Sequence, residues 1–144
     1  MPLAKKFFTK QEQELLIKAI GEAEMNTSGE IRLHLENFCS GNEVKAAWKI
    51  FVRLDMHRTK ERNGILIYIA TMSRKIAVIG DEGIHQKLGD KFWEKLVLDL
   101  ISHFKSDKRA EALAESIIEC GKQLGHFFPR QNDDKNELSD SISY

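Results

Sequence analysis

Apolar and polar positions follow two periods along this chain, and the switches between them mark its elements. Leu15, Leu16, Ala19, Ile20 and Ala23 recur at helical spacing. Thr9-Lys-Gln-Glu12, just ahead of them, has the form of a capping box and sets the helix start. Asn26 to Gly29 is turn chemistry. Over residues 30–38 the period becomes two. Ile31, Leu33 and Leu35 fall on one side and Arg32, His34 and Glu36 on the other, which predicts a half-buried strand. Ser40-Gly-Asn breaks it. Val44, Ala47, Trp48 and Phe51 then mark an amphipathic helix over 43–55.

Residues 63–83 carry the strongest signal. Two β-branched apolar runs, 65–70 and 76–79, flank the short polar stretch Thr-Met-Ser-Arg, which reads as a hairpin. A turn centred on Met72 and Ser73 sets Gly64 opposite Asp81 and Asn63 opposite Glu82. After Gly83 the period is helical again. Asp90 is expected to cap a helix carrying Phe92, Trp93, Leu96, Val97, Leu100, Ile101 and Phe104. Ser106 or Asp107 is expected to cap a last helix with the stripe Ala110, Leu113, Ala114, Ile117, Ile118, Gly121 and Leu124, and Pro129 stops it. Residues 131–144 are polar and acidic without apolar periodicity and are expected to form a mobile tail behind a single domain at 1–130.

The predicted order is α-β-α-β-β-α-α. Strand, helix and strand over 30–70 make a βαβ unit with parallel strands, and the strand at 75–80 runs antiparallel to them. The fold class is α/β: a small mixed sheet with helices on both faces.

Composition adds exclusions. At 144 residues the chain suits one domain. Lysine plus arginine and aspartate plus glutamate number 22 each, so no net field draws nucleic acid or an anionic membrane. No run reaches the roughly 18 apolar residues of a membrane span. The N-terminus lacks an apolar signal core, so a cytoplasmic location is expected. Cys39 and Cys120 match no metal or redox spacing and are expected as reduced thiols.

Topology then gathers chemistry. Glu30 begins the first strand, Asn63 precedes the second, and Asp81 and Glu82 end the third, which runs the other way. All four belong to one end of the sheet, and Asp90 can return there. Calcium takes six to eight oxygen ligands, and carboxylates and amide oxygens from several loops can supply them. Glu30, Asn63, Asp81, Glu82 and Asp90 are therefore the candidate metal ligands, with Asp81 expected to face solvent. The same residues also have ordinary roles as turn, helix cap and strand end. The mixed-charge loop from Asp55 to Asn63 enters the same end, and Arg58 or Arg62 could hold a phosphate by paired hydrogen bonds. Cys39 lacks the downstream arginine of a cysteine phosphatase loop, and no Asp-x-Asp pair is present. A phosphatase would thus have to be metal-dependent. His34, on the polar face of its strand, and His85, His103 and His126 read as solvated or capping. Trp48 and Trp93 read as core.

Thr27-Ser-Gly-Glu-Ile31, Thr59 to Asn63-Gly-Ile-Leu-Ile and Arg74-Lys-Ile-Ala-Val-Ile-Gly-Asp81-Glu-Gly-Ile, with Phe92-Trp93, Phe127-Phe128-Pro129 and Asn136-Glu-Leu, resemble the TPM domain family over nearly the whole chain. The small stand-alone bacterial members are the most similar. The resemblance implies a Rossmann-like α/β/α sandwich. It also implies divalent-metal binding, chiefly calcium, for some members, and acid phosphatase activity for some plant ones. Many members carry a signal peptide and a membrane anchor, which this chain is expected to lack. The leading expectation is a small domain that binds calcium and serves as a binding or assembly module, with a protein partner conceivable through the acidic tail. A metal-dependent acid phosphatase is the alternative.

Overall fold

Thr9 opens the long N-terminal helix as its capping box requires: its hydroxyl accepts from the Glu12 amide at 3.1 Å, and the Glu12 carboxylate accepts from the Thr9 amide at 2.8 Å. The computed structural model describes residues 3–106, 108–130 and 142–144. Its elements are α1 (Ala4–Phe7), α2 (Lys10–Glu24), β1 (Glu30–Glu36), α3 (Glu43–Arg53), a 3-10 turn at Met56–Arg58, β2 (Gly64–Ala70), β3 (Lys75–Gly80), α4 (Glu82–Leu88), α5 (Asp90–Phe104) and α6 (Arg109–Phe127). The sheet order is β1-β2-β3, with β1 parallel and β3 antiparallel to β2. Ile65 pairs with Gly80 and Ala70 with Lys75, the register that the turn at Met72 and Ser73 predicts.

Side-chain alternation divides the core. Ile31, Leu33, Leu35, Ile65, Ile67, Ile69 and Val78 pack with the apolar stripes of α2, α5 and α6. Leu66, Tyr68, Ala70, Ala77 and Ile79 pack with Ala47, Ile50 and Phe51 of α3 and with Met56. Burying a side chain of this size is worth about 1.5–3 kcal/mol. The sheet is therefore held from both sides, as the fold class predicts.

Four expectations need correction. β1 is buried on both faces rather than half-buried. His34 is fully buried rather than solvated or capping: its Nε2 lies 3.1 Å from Glu36 Oε1, its Nδ1 lies 2.8 Å from Ser143 Oγ, and its ring stacks on Tyr68. Desolvation lowers its pKa, so the ring is neutral, with Nε2–H donating to the carboxylate. The Tyr68 hydroxyl donates to the second oxygen of Glu36. Polar groups enter this strand because they satisfy one another. Asp90 is the first residue of α5 and not its cap, since Gly89 with φ 78° ends α4 and starts α5 in one step. Lys108 precedes α6, and Ser106 caps the turn before it, its hydroxyl accepting from the Lys108 amide at 3.3 Å. Asp107 lies outside the described residues.

Of the expected tail, residues 131–141 lie outside the described residues. Ser143 pairs with the free edge of β1, donating to Leu33 O at 3.0 Å and accepting from the Leu35 amide at 2.9 Å. Cys39 and Cys120 are free, buried thiols, and burial pushes Cys120 up to about 12.

Candidate functional site

The amino ends of β1 and β2 and the carboxyl end of β3 meet as the topology predicts. Two glycines let them close. A side chain at Gly83 would strike the backbone of Glu61 and Arg62, so glycine lets that loop cross the start of α4. A side chain at Gly80 would strike the Trp93 ring, so glycine lets α5 lay its indole on β3. Between them opens a cleft of about 620 Å³.

Three of the five predicted ligands, Asp81, Glu82 and Asp90, line this cleft. Glu30 and Asn63 do not: they are 2% and 1% exposed. Asn63 is tied into the fold, its Nδ2 donating to Ser28 Oγ and its amide to Thr59 Oγ1, each at 3.3 Å. Asp81 does not face solvent as expected; it is 2% exposed. Arg62 grips it through Nε at 2.8 Å and a terminal guanidinium nitrogen at 3.0 Å, one to each oxygen. The Glu82 amide donates to it at 2.7 Å, which makes Asp81 the cap of α4. The hydrogen bonds to Asp81, and then its charge, raise the pKa of Arg62. Arg62 holds this pose with φ 53°, a left-handed backbone that carries strain in a non-glycine residue.

Sequence reasoning passed over His85, Trp48 and Glu94, which all line the cleft. His85, read as solvated or capping, accepts at Nδ1 from Trp93 Nε1 at 2.9 Å, and its Nε2 lies 3.3 Å from Asp90. Their common location at the sheet end was the available signal. Trp48, read as core, is 38% exposed and forms one wall. Of the mixed-charge loop, Arg62 reaches the cleft while Arg58 pairs with Asp55 at 3.6 Å in solvent. The wall thus holds Asp81, Glu82, Asp90 and Glu94 against one arginine, so its charge is negative. Among the described residues, no three His, Cys, Asp or Glu side chains converge as a metal-ligand group.

The TPM domain model matches residues 4–123, most of the chain. The chain belongs to the TPM domain family. It is similar to the BA42 protein of the psychrophilic bacterium Bizionia argentinensis, solved by NMR, at 36% identity and TM-score 0.86 over 95% of this chain and 94% of that one. It also shares its fold with the N-terminal domain of a P. gingivalis protein, at 17% identity and TM-score 0.71 over 87% and 82% of the two chains. No curated protein matches the chain. Among the described residues no helix is long and apolar enough to cross a membrane.

Proposed function

We propose that this TPM domain is a cytoplasmic binding module whose acidic cleft takes a divalent cation, calcium. The observation that carries the reading is that Asp81, Glu82 and Asp90, from the end of β3 and the first turns of α4 and α5, open on one negatively charged cleft. These residues fit a calcium ion in kind, as hard oxygen donors from separate loops. The five-residue set does not fit as a whole, because Glu30 and Asn63 are buried and do not line the cleft. Asp81, Glu82 and Asp90 line the cleft without converging on one point, so they would have to draw together to hold the ion, with backbone carbonyls and water completing its shell. The ion would supply positive charge where Arg62 now supplies it, so Arg62 competes for Asp81.

Calcium titration followed by NMR tests this. Amides of 62 and 81–90 should shift, Asp90→Asn should weaken binding, and Arg62→Gln should tighten it by removing the competitor. No perturbation at millimolar calcium would sink the reading. Arg62 also favours a second reading, a metal-dependent phosphatase, since its guanidinium fork suits a phosphate ester. Among the described residues no serine, threonine or cysteine lines the cleft, so a nucleophile there would have to be water. Hydrolysis of a chromogenic phosphate monoester that requires metal and is lost in Asp81→Asn would favour that reading over simple binding.

A further inference from the structure

A second cavity, of about 440 Å³, lies at the opposite end of the sheet, beside the carboxyl ends of β1 and β2. Its size suits a small ligand, since such sites run about 300–1,000 Å³. Ile69, Ile76, Phe7 of α1 and Phe104 of α5 line it, the two aromatic rings paired with centroids 6.0 Å apart. Arg109 fixes Phe7, with its guanidinium 4.0 Å above the ring and a hydrogen bond to the Phe7 carbonyl at 3.1 Å.

Polar groups at the turn give this apolar cavity a direction. Thr71 continues the odd-numbered face of β2, after Ile67 and Ile69, and so reaches the cavity. It is 1% exposed, and its hydroxyl has no hydrogen-bond partner among the described residues. A buried hydroxyl without a partner is costly and calls for an explanation. Arg74 and Lys105 stand at the rim, both exposed and neither with an ion pair or side-chain hydrogen bond among the described residues. Lys75 also lines the cavity, but its ammonium is held by the carbonyls of Cys39 and Gly41 at 3.1 and 2.7 Å. Among the described residues no acidic side chain lines the cavity.

The geometry points to a binding site for a single-chain amphipathic carboxylate, a medium-chain fatty acid, with its tail along Ile76 and the paired rings of Phe7 and Phe104 and its head at Thr71 and Arg74. The apolar walls select the tail. A guanidinium fork plus one hydroxyl donor matches a head of two oxygens. The site is separate from the acidic cleft and stands independently of it.

NMR titration of the full chain with decanoate, below its micelle-forming concentration, tests the assignment, with decanol as the uncharged control. Decanoate should give saturable shifts at Thr71, Arg74, Ile76 and Phe104. Decanol should bind about tenfold more weakly, because it forfeits the charge-assisted hydrogen bonds. Thr71→Val and Arg74→Gln should each weaken decanoate several-fold and leave decanol unchanged. Absence of saturation, shifts centred on the Trp93 cleft, or equal binding of decanoate and decanol would overturn the proposal. The wild-type comparison of acid and alcohol decides it even if a variant fails to fold.

Discussion

The two ends of the sheet treat their buried polar groups in opposite ways. At the amino ends of β1 and β2 the protein itself satisfies Asp81 and Thr27. Asp81 receives three N–H donors. The Thr27 hydroxyl donates to Phe128 O and accepts from the Gly29 amide at 3.0 Å, which ties the end of α6 to the start of β1. At the carboxyl ends the Thr71 hydroxyl has no such partner among the described residues, and Arg74 faces solvent beside it. Carboxylates that look like ligands can therefore be parts of the frame, while a hydroxyl with no sequence signature can be the group left for a ligand. Any cation at Asp81 must compete with bonds already made; an anion at Thr71 displaces none.

The largest expected effect breaks the satisfied end. Thr27→Val keeps the side-chain shape and removes both hydrogen bonds, leaving the buried Gly29 amide short of a partner while the Phe128 carbonyl keeps the Ser28 amide. The loss should be about 1–3 kcal/mol, read from urea denaturation. A change within error would show that the Thr27 bonds are not what holds α6 to β1. Asp81→Ala comes next. It removes the cap of α4, which costs about 0.5–2 kcal/mol, while loss of the half-exposed Arg62 partner adds little. Asp81→Asn keeps a capping oxygen and should recover most of that loss. If Asp81→Ala leaves stability unchanged, Asp81 is no frame residue and the contrast between the ends weakens.

Much of this frame was legible from local chemistry. The Thr9 capping box, the period-two runs and the turn at Met72 each involve residues within a few positions of one another, and they fix helix start, strand faces and register without tertiary knowledge. The register even placed Asp81 at the correct end of the sheet. The grip of Arg62 on Asp81 was not legible, because it depends on a left-handed backbone at Arg62 and on the close crossing at Gly83. Nor was the buried polar face of β1: Arg32, His34 and Glu36 alternate like solvent-facing residues, and only the partners supplied by Tyr68 and Ser143 let His34 and Glu36 go inside. The fatty-acid cavity was invisible for a related reason. Phe7 and Phe104 come from distant helices, and no spacing tells that their rings will meet and line an opening.

The His34 group sharpens the comparison, because it is a satisfied polar cluster beside the carboxyl end. Its folded pKa lies below the ordinary 6.5, chiefly through desolvation. The unfolded chain then binds the proton more readily, so stability falls as pH drops through 6.5 toward the lower folded value and is unaffected by this group above it. Urea midpoints at pH 7.5 and 5.5 should show this decline in the wild type and a smaller one in His34→Gln. An equal decline in both would assign the effect to other groups.

Thr71→Val carries the smallest change, and its sign separates the two ends. The substitution is the same as at Thr27, in a strand-compatible, buried position with nearly unchanged shape. At Thr27 it removes bonds that exist; at Thr71 it removes a hydroxyl whose burial carries a penalty with no compensating bond. The methyl that replaces it joins the lining of the cavity that Ile69 and Ile76 share. The ligand-free protein should therefore gain stability, on the order of 1 kcal/mol, seen as a higher urea midpoint with an unchanged slope. Decanoate should raise the melting temperature of the wild type more than that of Thr71→Val, because a ligand stabilises the folded state in proportion to its affinity for it. A residue that weakens the empty protein and strengthens the filled one has been kept for what it binds. If Thr71→Val instead destabilises the empty protein as Thr27→Val does, its hydroxyl already has a partner and the two ends of the sheet are alike.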